Sequence, residues 1–168
     1  MKHPDMHWRT MTGLDMGAVE AIADIVHKAY FEAPAVLAEK RALYANGAQL
    51  LEIGERPVGY VLSHPWRRDT IPPLNALLGA LPADPDTYYV HDLALLPVAR
   101  RMGAAGFITM VLGKHAAARG FTNMSLVAVN GSTGFWARQG FEPRDLPSLA
   151  ASLAGYDPDA RYMVKPLV

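Results

Sequence analysis

The stretch from Tyr88 to Val129 constrains the fold most. Tyr88 to Leu95 reads YYVHDLAL, a strongly apolar run suited to a buried strand, and Leu96-Pro97 ends it. Val98 to Met102 forms a loop carrying Arg100 and Arg101. From about Gly103 to Arg119 the spacing predicts a helix with Ile108, Val111, Leu112 and His115 on one face. Gly120 followed by Phe121 reads as a left-handed helix stop with its hydrophobic contact. Ser125 to Val129 is then a second strand. Strand, helix and strand in this order make a crossover, so the two strands run parallel in one sheet.

The rest of the chain surrounds that unit. Trp8 to Thr12 reads as a first strand, and Thr12 with Asp15 as a capping pair. Val19, Ile22, Ala23, Val26 and Tyr30 recur at helical spacing until Pro34. Ala35 to Tyr44 predicts a second helix, stopped near Asn46-Gly47. Ala48 to Ile53 and Val58 to Ser63 form a hairpin through Gly54-Glu55-Arg56-Pro57. His64 to Asp86 holds Pro65, Pro72, Pro73, Pro82 and Pro85, with one apolar stretch from Leu74 to Leu81. It reads as an excursion with a helical turn or two, of the kind that forms lids and binding loops. Ser132 to Gln139 is a short helix, Phe141 begins a strand, Leu149 to Leu153 is a helical turn, and Arg161 to Lys165 is a last strand. The expected class is α/β, or α+β with a mixed sheet, as one domain over residues 1–168.

Composition narrows the function. Lys plus Arg and Asp plus Glu are both 16, so the net charge is zero, which argues against sequence-independent nucleic-acid binding. Without cysteine there is no disulfide, thiolate metal site or Cys nucleophile. No apolar run is long enough for a bilayer, and Met1 to Arg9 is no signal peptide, so a cytoplasmic protein is expected. His3 and His7 read as unordered terminal residues.

The loop before the long helix is a candidate anion site. A helix's first turn has unpaired N–H groups and a partial positive end. Gly103 and Ala105 keep side-chain bulk away, and Arg100 and Arg101 can add charge-assisted hydrogen bonds of roughly 1.5–3 kcal/mol each. The alternative is that small residues merely let the helix start close to the sheet, with both arginines solvated. Neither G-x-x-x-x-G-K-[ST] nor G-x-G-x-x-G is present.

Arg100-x-x-Gly103-x-Ala105 resembles the [Q/R]-x-x-G-x-[G/A] pyrophosphate loop of the GCN5-related N-acetyltransferases (GNAT). Asn130-Gly-Ser-Thr-Gly-Phe-Trp-Ala-Arg-Gln-Gly-Phe141 resembles that superfamily's second signature, an Asn followed by Phe-Tyr-x-x-x-Gly-Phe. The resemblance implies a mostly antiparallel sheet with a splayed parallel pair near Leu95 and Ser125, flanked by helices. It implies acetyl-CoA as co-substrate and no metal. The pantetheine arm would pair with Leu93, Ala94 and Leu95, and the amides from Arg101 through Met102, Gly103, Ala104 and Ala105 to Gly106 would cradle the pyrophosphate. Asn130, the helix from Ser132, and Trp136 would flank the arm. The implied activity is acetyl transfer to a primary amine of a small molecule or peptide. The alternative is a non-catalytic CoA-binding or regulatory domain. A homodimer is expected, since domains of the family often pair.

Amine acetylation needs a proton acceptor, because an amine of pKa about 10.4 is protonated at neutral pH. The resemblance puts an acid on the strand that binds cofactor, and here His91 and Asp92 stand in its place. Imidazole, with an unperturbed pKa of about 6.5, suits the task. Strict alternation puts His91 on the side of Leu93 and Leu95, whereas a bulge brings Asp92 forward. The usual Tyr that protonates the thiolate is Trp136, whose indole is no general acid. The loop from Asn130 to Phe135 is also one residue shorter than the commonest form. Ser132, Tyr88, Tyr89 or water must then supply the proton, or the chain does not catalyse. Tyr30, Phe31 and Glu32 are candidates for one acceptor wall and Trp66, Arg67 and Arg68 for the other. His115 reads as a satisfied core or boundary histidine.

Overall fold

The structure, a computed structural model, describes residues 5–168. One seven-stranded sheet runs in the order β1 (Met6–Thr10), β2 (Ala48–Ile53), β3 (Arg56–Trp66), β4 (Thr87–Leu95), β5 (Asn123–Ala128), β7 (Arg161–Pro166), β6 (Glu142–Pro143). Every neighbouring pair is antiparallel except β4 and β5, the parallel pair that the crossover demands.

Alternation along the strands sends their side chains into two layers. Tyr60 and Leu62 of β3 pack with Val19 and Ile22 of α1 (Met16–Val26) and Leu37 of α2 (Pro34–Leu43). Val61, Tyr88, Leu126 and Met163 pack on the other side with Ile108 and Leu112 of α3 (Ala104–Ala118) and Trp136 of α4 (Thr133–Arg138). A short α5 (Ala150–Ala154) follows a 3-10 turn whose Leu149 joins Ile71, Tyr162 and Val164 in a smaller cluster. Gly120 ends α3 with φ of 88°, and Phe121 donates its N–H back to Ala116 O at 3.1 Å.

Several boundaries differ from the sequence expectation. β1 starts at Met6 and stops at Thr10, because Thr12 is drawn into a capping box in which its N–H donates to Asp15 Oδ2 at 2.7 Å. α1 ends at Val26, since His27 leaves the helical region, so Tyr30 lies beyond the helix. β3 runs on past Ser63 to Trp66, taking Pro65 into the ladder opposite Tyr88. Residues 67–86 contain turns but no helix. Phe141 precedes β6 rather than starting it.

The departure with most consequence is in β4. Its pairing with β3 steps from Leu62↔Asp92 to Ser63↔Val90, leaving His91 as the extra residue of a bulge. His91 therefore lies beside the rings of Tyr89 and His64, each with its centroid 6.2 Å away. Asp92 is also on this face, bonded to Tyr60. Leu93 and Leu95 pack toward α3 instead. The expectation that His91 shares a side with them is thus corrected, because the bulge resets the alternation between the two.

Candidate functional site: a split in the sheet

β4 and β5 pair only at Tyr88↔Met124, Tyr89↔Ser125 and Val90↔Leu126, and then separate. The opening is a groove of about 360 Å³ whose walls include Leu93, Leu95, Leu126, Val127, Asn130 and Trp136. On the far edge of β4, Leu96 donates its N–H to Val58 O at 2.8 Å. Backbone groups alternate along a strand, so Leu93 and Leu95 turn theirs toward the opening. Ala94 turns toward β3, where its carbonyl lies 2.9 Å from the place a Cβ on Gly59 would take. That close approach requires glycine at position 59.

The loop at the end of β4 delivers the head of α3 to the groove. Pro97–Ala99 makes a 3-10 turn, and Arg101 and Gly103 adopt φ of 62° and 82°. Phe107 is the first residue to donate into the helix, to Gly103 O at 3.0 Å. Ala104, Ala105 and Gly106 precede it with no capping side chain, so three N–H groups face outward at the positive end. Trp8 Nε1 donates to Ala104 O at 3.1 Å and pins this end to the first strand. A Cβ on Gly103 would meet nothing within 4 Å. Glycine suits the left-handed backbone there, and the space beside it is open on the side of the loop. Arg100 donates from Nε to Leu95 O at 3.0 Å, and Arg101 is exposed.

The second motif closes the groove from the β5 side. Asn130 and Gly131 have φ of 55° and 67°, and Ser132 Oγ donates to Val129 O at 2.6 Å. This tight turn starts α4. Trp136, only 8% exposed, sits between Phe135 and Phe141 with ring centroids 4.9 and 5.4 Å away. It fills core and lines the groove at once, as packing rather than as a proton donor.

Where the groove reaches the bulge it meets a smaller pocket of about 50 Å³, lined by His27, Glu32, Tyr89, His91, Asp92 and Tyr156 among others. Two imidazole–carboxylate pairs stand here. His91 Nε2 lies 2.8 Å from Glu32 Oε1. His27 Nε2 lies 2.6 Å from Asp92 Oδ1, and Tyr60 donates to Oδ2. Burial opposes charge on Asp92, but the His27 charge and hydrogen bond outweigh it and hold the carboxyl below its usual range. Burial likewise works against the imidazolium of His27, and Asp92 overcomes it, raising the pKa. Nearby, burial lowers Lys40 despite Glu32, Glu39 and Asp92, and pushes His64 down to about 3.

Of the expected acceptor walls, Tyr30 and Glu32 line the small pocket, while Phe31 is 58% exposed outside it. Trp66, Arg67 and Arg68 line neither space. The Pro-rich excursion contributes through Leu74 instead, held by Asn75, whose Oδ1 accepts the N–H of Ala33 at 2.7 Å. Tyr89 lines the pocket, but Tyr88 lies on the other face, its hydroxyl 2.8 Å from Ser63 Oγ, which removes it as a proton source for the groove. His115 is satisfied by Tyr44 OH at 2.6 Å. His7 is ordered, 3.2 Å from Glu52, contrary to expectation; His3 lies outside the described residues. His27 was not expected at all. The helical spacing that runs on to Tyr30 conceals the break at which its ring turns toward Asp92. Among the described residues no three His, Asp or Glu side chains gather as a metal site.

Sequence comparison gives the class to which this fold, an opened parallel pair beside a helix head, belongs. The acetyltransferase (GNAT) family matches over residues 19–141, and the chain belongs to that family. No curated protein matches the chain by sequence. Similar solved structures include the loading GNATL domain of CurA from Lyngbya majuscula, with TM-score 0.80 and 10% identity over 96% of this chain and 97% of that one. GphF, a GNAT-like decarboxylase in complex with isobutyryl-CoA, gives TM-score 0.78 and 13% identity over 96% and 100%. Naa20 of Chaetomium thermophilum, in complex with a bisubstrate analogue, gives TM-score 0.71 and 16% identity over 96% and 86%. At these identities the likeness is one of fold.

Proposed function

We propose that the chain transfers the acetyl group of acetyl-CoA to a primary amine of a small molecule or peptide. One observation carries the reading: His27, His91 and Asp92 line both the groove and the small pocket, so a thioester in one and an amine in the other would meet beside them. The three outward N–H groups at the head of α3 suit a pyrophosphate, with Arg101 and Met102 leading into the cradle. The groove-facing backbone of Leu93 and Leu95 suits the amides of a pantetheine arm, and the N–H of Leu95 suits a developing oxyanion.

In this reading the amine attacks as its free base, having shed one proton to solvent, and His91 takes the second proton that the nitrogen loses as the new C–N bond forms and the C–S bond breaks. Asp92 acts indirectly, because both its oxygens are engaged and it holds His27 in place. The sulfur leaves as a thiolate. A thiol of pKa about 8.5 is a far better leaving group than an amine, so solvent can protonate it afterwards. Trp136 therefore does not preclude turnover. That GphF, of the same fold, was solved with isobutyryl-CoA and Naa20 with a bisubstrate analogue supports an acyl-CoA ligand for this chain.

Trp136 does favour a second reading, CoA binding without catalysis, because it replaces a hydroxyl with packing. A panel of primary amines offered with acetyl-CoA, read as free CoA thiol, separates the two. Amine-dependent release supports acetyl transfer. Binding of acetyl-CoA without such release supports the second.

A further inference from the structure

His91 is useful as a base only if the nitrogen presented to the amine carries a lone pair. Which nitrogen that is depends on what holds the other. Glu32, in the connection between α1 and α2, places Oε1 2.8 Å from His91 Nε2, with side-chain exposures of 6% and 2%. Its other oxygen, Oε2, accepts the N–H of Asn75 at 3.0 Å. Burial opposes ionisation of Glu32, but the His91 hydrogen bond and charge, the Lys40 charge and the Asn75 N–H outweigh it, so the pKa is lowered. An ionised carboxylate only accepts hydrogen bonds. Nε2 must therefore carry the hydrogen in the neutral ring. Nδ1 is buried and has no partner among the described residues. His91 lines the small pocket, and Nδ1 is the ring nitrogen left with a lone pair for a proton.

We propose that Glu32 is a positioning residue of the acetyl transfer, fixing His91 as the Nε2–H tautomer so that Nδ1 is the atom that accepts the amine proton. The rate consequence rests on the acetyl-transfer reading; the tautomer does not. A purely structural Glu32 would hold the same tautomer, but its loss would lower stability without lowering kcat.

The test joins spectroscopy to kinetics on the full chain. Proteins with 15N-labelled histidine, with the His91 signals assigned by their loss in His91→Gln, report the tautomer by NMR. In the wild type His91 is expected as Nε2–H. In Glu32→Gln the amide has one oxygen for two donors, His91 and Asn75, so it cannot hold both, and the Nε2–H preference should weaken. With that loss, kcat should fall about 10²-fold while the KM for acetyl-CoA stays unchanged. A wild-type His91 found as Nδ1–H overturns the proposal without any variant being needed. So does a folded Glu32→Gln that keeps both tautomer and kcat and loses only thermal stability. If the wild type shows no amine-dependent CoA release, the acetyl-transfer reading fails, and the NMR result still decides the role of Glu32.

Discussion

At the scale of single residues the site rests on two imidazoles held by carboxylates in different ways. His91 keeps one nitrogen unpaired, so removing its ring should remove the proton acceptor, and it also costs stability because buried Glu32 loses its partner. His91→Ala is expected to lower kcat by roughly 10²–10⁴ with acetyl-CoA affinity nearly unchanged, measured by steady-state kinetics beside calorimetry. Asp92 instead underwrites stability. Its pKa is lowered from 3.8 in the fold, so its contribution is present above 3.8 and lost as pH falls through the folded value. The pKa of His27 is raised from 6.5, so its contribution is complete below 6.5 and lost as pH rises through the folded value. Both are fully present only between those limits. Asp92→Asn leaves His27 and Tyr60 without their charged partner, and should cost about 3 kcal/mol. Denaturant titrations across pH should show the deficit widest between pH 3.8 and 6.5 and shrinking on either side. A deficit independent of pH would mean that lost packing, not the ion pair, sets the cost.

At the scale of elements the site is made by interruptions. The β4–β5 ladder stops after Val90, the bulge at His91 resets the face, and Gly103 turns the chain into α3. A Cβ at Gly103 meets open space, so Gly103→Ala should cost only the left-handed backbone, about 1–2 kcal/mol. Gly103→Val, with a branched side chain in that conformation, should reshape the loop and abolish acetyl-CoA binding in calorimetry while the protein stays folded. The crossover, the basic loop and both motif segments could be read from the sequence, because periodicity and turn chemistry are local. The groove's position came only with the family resemblance that the two motifs carry. The bulge could be raised only as an alternative to strict alternation, since one extra residue leaves the composition of an apolar strand unchanged. Glu32 and His27 lie 59 and 65 positions from their partners, and local spacing carries no trace of such contacts. The sequence offers Glu32 only as part of an acceptor wall; its bond to His91 exists because the connection after α1 folds back onto β4.

At the scale of the whole molecule the groove joins the two halves of the sheet, since β4 and β5 share only a short ladder and then part. A ligand lying between them should therefore stabilise the entire fold. At a hundredfold excess over its dissociation constant, acetyl-CoA should add about 2.7 kcal/mol. For a domain of this size that raises Tm by roughly 5–10 °C, readable in a thermal melt. ATP shares the adenine and phosphates but lacks the pantetheine arm that the groove between Leu93 and Val127 would hold. The most direct measurement is thus calorimetric titration of one protein sample with acetyl-CoA, CoA and ATP in parallel. An acyl-CoA site at the split in the sheet predicts one acetyl-CoA or CoA bound per chain, with ATP binding far more weakly. ATP binding as tightly as acetyl-CoA, or no binding of either CoA ligand, would contradict it.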